Sequence, residues 1–233
     1  MVIFLSKSWI YDNKAYSEQE IFNLAKTNLK RRSTLKSLGL IKKGDGKKVL
    51  DVGCGMGAPA SQLVQRGFEV VGVDILKESI NVAKFLFKHP KLKFEVKDII
   101  KQQYPAESFD TVLFLETIEH VDNPKMFLSE FHRILKPNGY LIISTPNAVS
   151  LFSIVRQLLR GKKRLKAISS EPQNTGTHLD HIYAWDIFTL CRLLDRSGFK
   201  YITHTYAEST PLNFMAPLLG RFRSTIILKV QKK

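Results

Sequence analysis

Cysteine is nearly absent: the 233 residues hold two, Cys54 and Cys191, too few for a disulfide framework or a four-thiolate zinc site. A reducing, cytoplasmic setting is therefore the expectation. No apolar run reaches the ~18 residues that cross a bilayer, so no transmembrane segment is expected. The opening MVIFLSKSWIYDNK has neither a basic leader nor a small-residue cleavage site, and reads as mature protein rather than signal peptide. Acidic residues are scarce beside basic ones, 21 against 36, a net charge of +15. Such an excess suits nucleic acid, an anionic lipid surface or acidic substrates, and equally a solvated lysine-rich surface. Internal repeats and long low-complexity tracts are missing too. What remains is a globular composition, 44% hydrophobic and 24% charged, on a chain long enough for one α/β domain with added segments.

Strands and helices alternate along most of that length. Ser17-Glu18-Gln19-Glu20 has capping-box spacing ahead of Ile21, Phe22, Ala25 and Leu29, which predicts a helix over 17–38 ended by Gly39. Short apolar runs predict strands at 49–53, 69–74, 93–97, 109–116 and 140–145, as in a sheet covered on both faces. Helices are predicted between them at 58–66, 77–88 and 125–135. The last opens on Asn123-Pro124 and stops before the turn signal Pro137-Asn138-Gly139. Residues 147–177 hold no strand pattern. A helix over 184–197 closed by Gly198 follows, then strand-like runs at 201–207 and 225–230 that read as an edge hairpin. Alternation of this kind argues a parallel sheet with helices on both faces.

The first strand runs into a glycine loop, Val49-Leu50-Asp51-Val52-Gly53-Cys54-Gly55-Met56-Gly57-Ala58. Glycines at such a turn let the backbone approach a ligand closely. Gly53, Gly55 and Ala58 also satisfy the G-x-G-x-x-A dinucleotide spacing, with Asp74 ending the next strand. Asp51 argues against that reading. A carboxylate two residues before the first glycine is unfavourable beside a pyrophosphate, and suits a ligand with an ammonium group and no phosphate. S-adenosylmethionine is such a ligand. The plainer alternative is that Asp51 caps the following helix or is a buried structural acid. Asp74 is placed to accept ribose hydroxyls. Asp98, after the third strand, is placed for the adenine amino group, with Ile99 flanking the ring. Ligands of open α/β sheets bind at this carboxyl edge, where strand order reverses.

With VLDVGCGMG, VVGVD, the KDI step, FDTVLFLETIEHVDNP and LKPNGYLIISTPN, the segment 47–199 resembles the class I methyltransferases of the type 11 and type 23 groups. The resemblance implies a Rossmann-like, seven-stranded, mostly parallel sheet with an antiparallel last strand. It implies a cofactor site lined by Asp51, Gly53, Gly55, Gly57, Asp74, Ile75, Asp98, Ile99, Leu115 and Glu116. It also implies a helical cap over 1–46, closing on the cofactor with Arg31 or Arg32 at its carboxylate, and a methyltransferase domain over 47–233.

Glu116-Thr117-Ile118-Glu119-His120 follows the fourth strand. Three oxygen and nitrogen donors within five residues can hold a divalent metal such as Mg beside a methyl donor; the plainer reading is a loop-shaping Glu-His pair. Two families share the element. It is similar to that of the O-methyltransferases of ubiquinone biosynthesis, whose Gly-Thr-His step is matched by Gly176-Thr177-His178. It is also similar to that of the 2′-O-methyltransferases of small-RNA 3′ ends, whose later Asp-His-x-aromatic-x-Trp run is matched by Asp180–Trp185. The expected metal ligands are Glu116, Glu119, His120 and His181. The expected acid-base residues are His120, His178 and His181, and either of the last two equally fits a capping role. His89, His132 and His204 are expected to be structural or on the surface.

The stretch 147–177 carries a basic insertion. Leu151, Ile154, Val155, Leu158 and Leu159 share a helical face, and six basic residues without an acid lie in 156–166. Such a segment suits peripheral contact with an anionic membrane and a lipid-linked acceptor, or an RNA backbone, or only a solvated helix over the substrate. The leading expectation is O-methylation of a small-molecule, quinone-like, lipid or glycan acceptor. RNA 2′-O-methylation is the second enzyme reading, and a non-catalytic cofactor-binding regulatory protein is the reading from another class.

Overall fold

The computed structural model describes residues 3–4, 15–16, 23, 27, 30–155, 157–159, 181–208 and 216–233. Two short strands, β1 (Ile3–Phe4) and β2 (Ala15–Tyr16), pair antiparallel near the amino end. The main sheet has seven strands: β3 (Lys48–Val52), β4 (Glu69–Asp74), β5 (Leu92–Val96), β6 (Phe109–Leu115), β7 (Leu135–Pro146), β8 (Phe199–Ala207) and β9 (Thr225–Lys232). Their order is β5-β4-β3-β6-β7-β9-β8. The first five are parallel, and β9 runs antiparallel between β7 and β8. Strand order reverses between β3 and β6, which opens a crevice at their carboxyl ends. This is the expected Rossmann-like class, antiparallel edge hairpin included.

Helices cover both faces. On one side lie α1 (Arg32–Gly39), α2 (Ala58–Gln65) and α3 (Lys77–Leu86); Leu38, Leu63 and Ile80 there share a core with Val49, Leu113 and Ile142. On the other lie α4 (Pro124–Ile134) and α5 (Ile187–Arg196); Leu128, Phe131, Leu190 and Leu194 pack there on Leu50, Val112 and Leu141. A short α6 (Ala216–Leu219) precedes β9. Asn123 caps α4 by accepting from the Met126 N–H at 3.3 Å, and Asp186 caps α5 by accepting from the Phe188 and Thr189 N–H groups. The sequence places both starts within a few residues.

The structure differs from the expected elements at three places. The predicted helix over 17–38 is interrupted before α1: Lys30 forms a turn, and Arg31 is extended with φ −61° and ψ 126°. Gly39 belongs to α1, and Leu40 ends it. The Pro137-Asn138-Gly139 signal does not separate two elements. It is absorbed as an irregularity in β7, where Phe109 pairs with Leu135 but Thr111 with Tyr140, and Asn138 takes φ 62°.

The described part of the predicted cap is tied to the sheet layer. Arg66, just past α2, donates to the Leu38 and Ile41 carbonyls at 2.6 Å each. Helical turns span 151–155 and 157–159; the rest of the basic insertion through residue 180, with His178 and Asp180, lies outside the described residues. Among the described residues, no helix is long and apolar enough to cross a membrane.

Candidate functional site

Of the expected cofactor residues, Asp51, Gly53, Gly55 and Gly57 lie at the carboxyl end of β3, and Asp74 and Ile75 at that of β4. Gly53 (φ +69°) and Gly57 (φ +80°) hold left-handed conformations that turn the chain from β3 into α2. A side chain at Gly53 would come within 2.7 Å of the Thr117 hydroxyl, and one at Gly57 would strike the Phe94 ring. The loop is stitched to β4: the Gly53 and Cys54 N–H groups donate to the Val73 carbonyl, and the Gly55 N–H donates to Asp74 Oδ2 at 2.9 Å. Asp74 Oδ1 accepts from Leu76 N–H at 2.9 Å.

Asp51 lies under this loop, 1% exposed, and its Oδ2 has no hydrogen-bond partner among the described residues. A buried carboxylate oxygen left unpaired is costly. Burial, reinforced by the Asp74 charge, pushes the Asp51 carboxyl up to about 7, against a weaker pull from the Ala60 N–H. That N–H, in the first turn of α2, is the helix-capping contact of the plainer reading; the orphaned oxygen is what capping leaves over. Burial also raises the Asp74 carboxyl, while the Leu76 and Gly55 N–H groups restrain it.

The outer residues differ in accessibility. Ile75 stands 70% exposed at the tip of β4, an apolar side chain with no core to enter. Ile99 is 2% exposed and packs in the core with Leu50 and Val73. Hydrophobic burial draws it inward, so it is no open flank for a ring as expected from sequence. Asp98 sits at the edge, accepting from the Ile100 N–H at 3.0 Å and facing Lys101 Nζ at 3.4 Å. Leu115 ends β6, half-buried.

The turn after β6 divides its two glutamates. Glu116 adopts φ 50°, a strained conformation for a residue with a Cβ. Its Oε1 accepts from Ser144 Oγ at 2.8 Å, and its Oε2 lies 4.0 Å from the Arg31 guanidinium. Burial raises its carboxyl, with Arg31 and the Ser144 hydroxyl opposing. Glu119 is 1% exposed, and its Oε2 accepts from Thr145 Oγ1 at 2.9 Å. Burial first, and the Glu116 charge second, push the Glu119 carboxyl up to about 8.

Glu119 Oε1 is 3.9 Å from His120 Nε2, and the His120 and His181 rings meet edge to face with centroids 4.7 Å apart. One donor atom each from Glu119, His120 and His181 lies within 4.8 Å of the others. The Ile182 N–H donates to the Glu119 carbonyl at 2.8 Å, which anchors the segment carrying His181. Three of the four expected metal ligands are therefore together. The fourth, Glu116, is a correction: its hydrogen bond to Ser144 and its left-handed backbone turn it toward Arg31, outside the group.

Several site residues escaped the sequence reading. Ser144 and Thr145 close β7 as an ordinary strand end, and only the parallel pairing of Leu115 with Ser144 brings them to the glutamates. In the Asp180–Trp185 run singled out from the sequence, Tyr183 donates from its hydroxyl to the Asp122 carbonyl at 3.0 Å and stacks on Trp185, whose indole Nε1 is buried without a partner among the described residues. Adjacent hydroxyl residues at the end of a central strand were the available signal. Of the remaining histidines, His132 lies within α4 against Phe199, and His204 on β8 bonds the Tyr201 hydroxyl.

Residues 20–204 match a family model described as a methyltransferase domain. Similar curated relatives include the ubiquinone biosynthesis O-methyltransferase of Azoarcus sp. (strain BH72), 32% identical over 186 residues, covering 73% of this chain and 76% of the relative. The protein of that name from Pelagibacter ubique (strain HTCC1062) is 38% identical over 104 residues, 43% of this chain and 42% of the relative. The chain thus matches less than half the length of the second and about three quarters of the first. Among solved structures, the fold is shared with a putative methyltransferase bound to the Trm112 methyltransferase activator of Haloferax volcanii (TM-score 0.68, 16% identity, 92% of this chain and 94% of that one). It is shared also with a putative S-adenosylmethionine dependent methyltransferase from Listeria monocytogenes (TM-score 0.63, 16% identity, 86% and 98%).

Proposed function

The chain belongs to the class I S-adenosylmethionine-dependent methyltransferases, and from that premise we propose that it methylates an oxygen of a small acceptor, quinone-like, lipid-linked or glycan. The observation that carries this reading is the Glu119–His120–His181 cluster beside the glycine-loop crevice. The relatives' printed name, with identity of 32% over 73% of the chain, supports the acceptor class.

The site suits the cofactor on its own terms. Asp51 Oδ2 is an unpaired buried carboxylate oxygen, which an ammonium group would satisfy. Asp74 and Asp98 take the ribose and adenine ends, Ile75 supplies an apolar wall, and Gly53, Gly55 and Gly57 leave room for close approach. Bound cofactor supplies an electrophilic methyl group on a sulfonium. The protein's part is to hold an acceptor hydroxyl in line with it and accept the hydroxyl proton. His120 and His181 are the described bases, and His178 is a further candidate.

The mixed oxygen and nitrogen donor set of Glu119, His120 and His181 also suits a divalent ion such as Mg. Glu119, raised to about 8 by burial and the Glu116 charge against a weaker pull from Arg31, is the group an ion would stabilise as the carboxylate. Such an ion would lower the pKa of an acceptor hydroxyl. In the described part of the segment after residue 150, Leu158 and Leu159 are 81% and 78% exposed, and the sequence around them is basic. That favours peripheral contact with an anionic membrane and a hydrophobic acceptor over RNA.

The test is transfer of labelled methyl groups to catechols and to lipid extracts, with RNA as the competing acceptor. Chelator-sensitive labelling of a catechol is expected, and Glu119→Gln or His181→Ala is expected to lower its rate ten- to a hundredfold. Transfer to RNA alone, or cofactor binding without any transfer, would overturn the reading.

A further inference from the structure

The two glutamates of the turn after β6 are three residues apart, yet each meets its own hydroxyl donor from one dipeptide of β7. Parallel pairing of Leu115 with Ser144 sets Ser144 and Thr145 beside the turn. Neighbouring strand residues point to opposite faces, so two adjacent hydroxyls reach two separate carboxylates. Ser144 grips Glu116 at three points. Its Oγ donates to Oε1 at 2.8 Å, its carbonyl accepts the Glu116 N–H at 2.9 Å, and its Oγ also lies 3.2 Å from that N–H. This grip holds a residue whose φ of 50° would otherwise relax, and it leaves Oε2 facing Arg31 at 4.0 Å. Thr145 Oγ1 occupies Glu119 Oε2 and leaves Oε1 to His120 and His181. Ser144 and Thr145 are 1% and 0% exposed, so solvent does not replace either donor.

We infer that Ser144 and Thr145 are positioning residues that divide the glutamates between two tasks, Ser144 fixing Glu116 for the cofactor and Thr145 fixing Glu119 for the cluster with His120 and His181. The second half rests on the proposed reading of that cluster as a divalent-ion site; the first half rests on the place in the cofactor site that the family resemblance implies for Glu116. Groups that orient a ligating carboxylate set metal affinity nearly as strongly as the ligand itself.

The experiment measures two affinities on the purified full chain: S-adenosylhomocysteine by calorimetry and Mn2+ by electron paramagnetic resonance. Ser144→Ala is expected to weaken S-adenosylhomocysteine about tenfold and leave Mn2+ within about twofold. Thr145→Val, which keeps the side-chain shape, is expected to weaken Mn2+ ten- to a hundredfold and leave S-adenosylhomocysteine within about twofold. Ser144→Thr and Thr145→Ser should each restore the affinity lost. Should Thr145→Val fail to fold, Thr145→Ala serves the same arm. A merely structural role would move both affinities together or neither, and either result overturns the inference. A wild-type chain that takes up no Mn2+ overturns the ion-site reading instead. The nucleoside arm then decides, and an unchanged affinity in Ser144→Ala sinks what remains.

Discussion

Asp51→Asn is expected to weaken S-adenosylhomocysteine binding by about a hundred- to ten-thousandfold, the consequence of removing one partner of a buried charge pair. The same substitution is expected to leave the ligand-free protein more stable at pH 8 than the wild type. Both follow from one oxygen, Oδ2, buried and unpaired beneath the glycine loop. The folded-state pKa of about 7 lies above the ordinary 3.8, so the folded protein binds more protons than the unfolded chain between those values. Stability must therefore fall as pH rises from about 4 through 7, by at most about 4 kcal/mol from this group. Asparagine carries no charge at any pH, so the Asp51 share of the fall should be missing from the variant, while the share from Glu119, raised to about 8, remains. Cofactor affinity runs the opposite way: an ammonium group pairs with the ionised form, so binding should tighten as pH climbs through 7 in the wild type and stay flat in Asp51→Asn. Calorimetric titrations and urea unfolding at pH 6 and pH 8 read both trends. A variant that binds the nucleoside like wild type, or is less stable at pH 8 than at pH 6 by the wild-type margin, removes Asp51 from the site.

Lys229→Ala is expected to cost about 3–5 kcal/mol of stability, because it strands a buried carboxylate. Lys229 is a charged residue in the middle of β9, 5% exposed. Its Nζ meets Asp45 Oδ2 at 2.5 Å and the Leu40 carbonyl at 3.1 Å, and lies 4.1 Å from the Tyr140 ring centroid. The pair ties the turn after α1 to the sheet, in the segment that also carries Arg31 toward Glu116. Truncating Lys229 leaves Asp45 with the Lys42 N–H alone. A double change, Lys229→Met with Asp45→Asn, removes both charges and should recover more than half of the loss. Urea midpoints for the wild type, the single and the double variant form the measurement. A single-variant loss below about 1 kcal/mol, the range of an exposed pair, would show that water reaches this contact.

These two residues differ in how far the sequence announced them. Asp51 was legible because its distance from Gly53 placed a carboxylate at a strand end where a pyrophosphate would be repelled. Lys229 was not: in Thr225–Lys232 it reads as one lysine in an apolar strand, and its partner lies 184 residues earlier. The strand and helix runs of 48–146 were readable from periodicity and caps. The break at Lys30–Arg31 and the irregularity at Asn138 were not, since both turn on local backbone choices that long-range packing settles. Within the turn after β6, the motif announced three donors together, but the backbone at Glu116 separates one of them from the other two.

By itself, then, the order of residues determined the alternating architecture, the glycine turn and the acids near it, because strand and helix periods and the spacing of a carboxylate from a glycine turn are local properties. The assignment of Glu116 to Ser144 and of Glu119 to Thr145, the meeting of His120 with His181, and the burial of Ile99 and Lys229 were decided only in three dimensions. Each depends on which strand lies beside which, and that pairing is fixed by the packing of two cores rather than by any short stretch of chain.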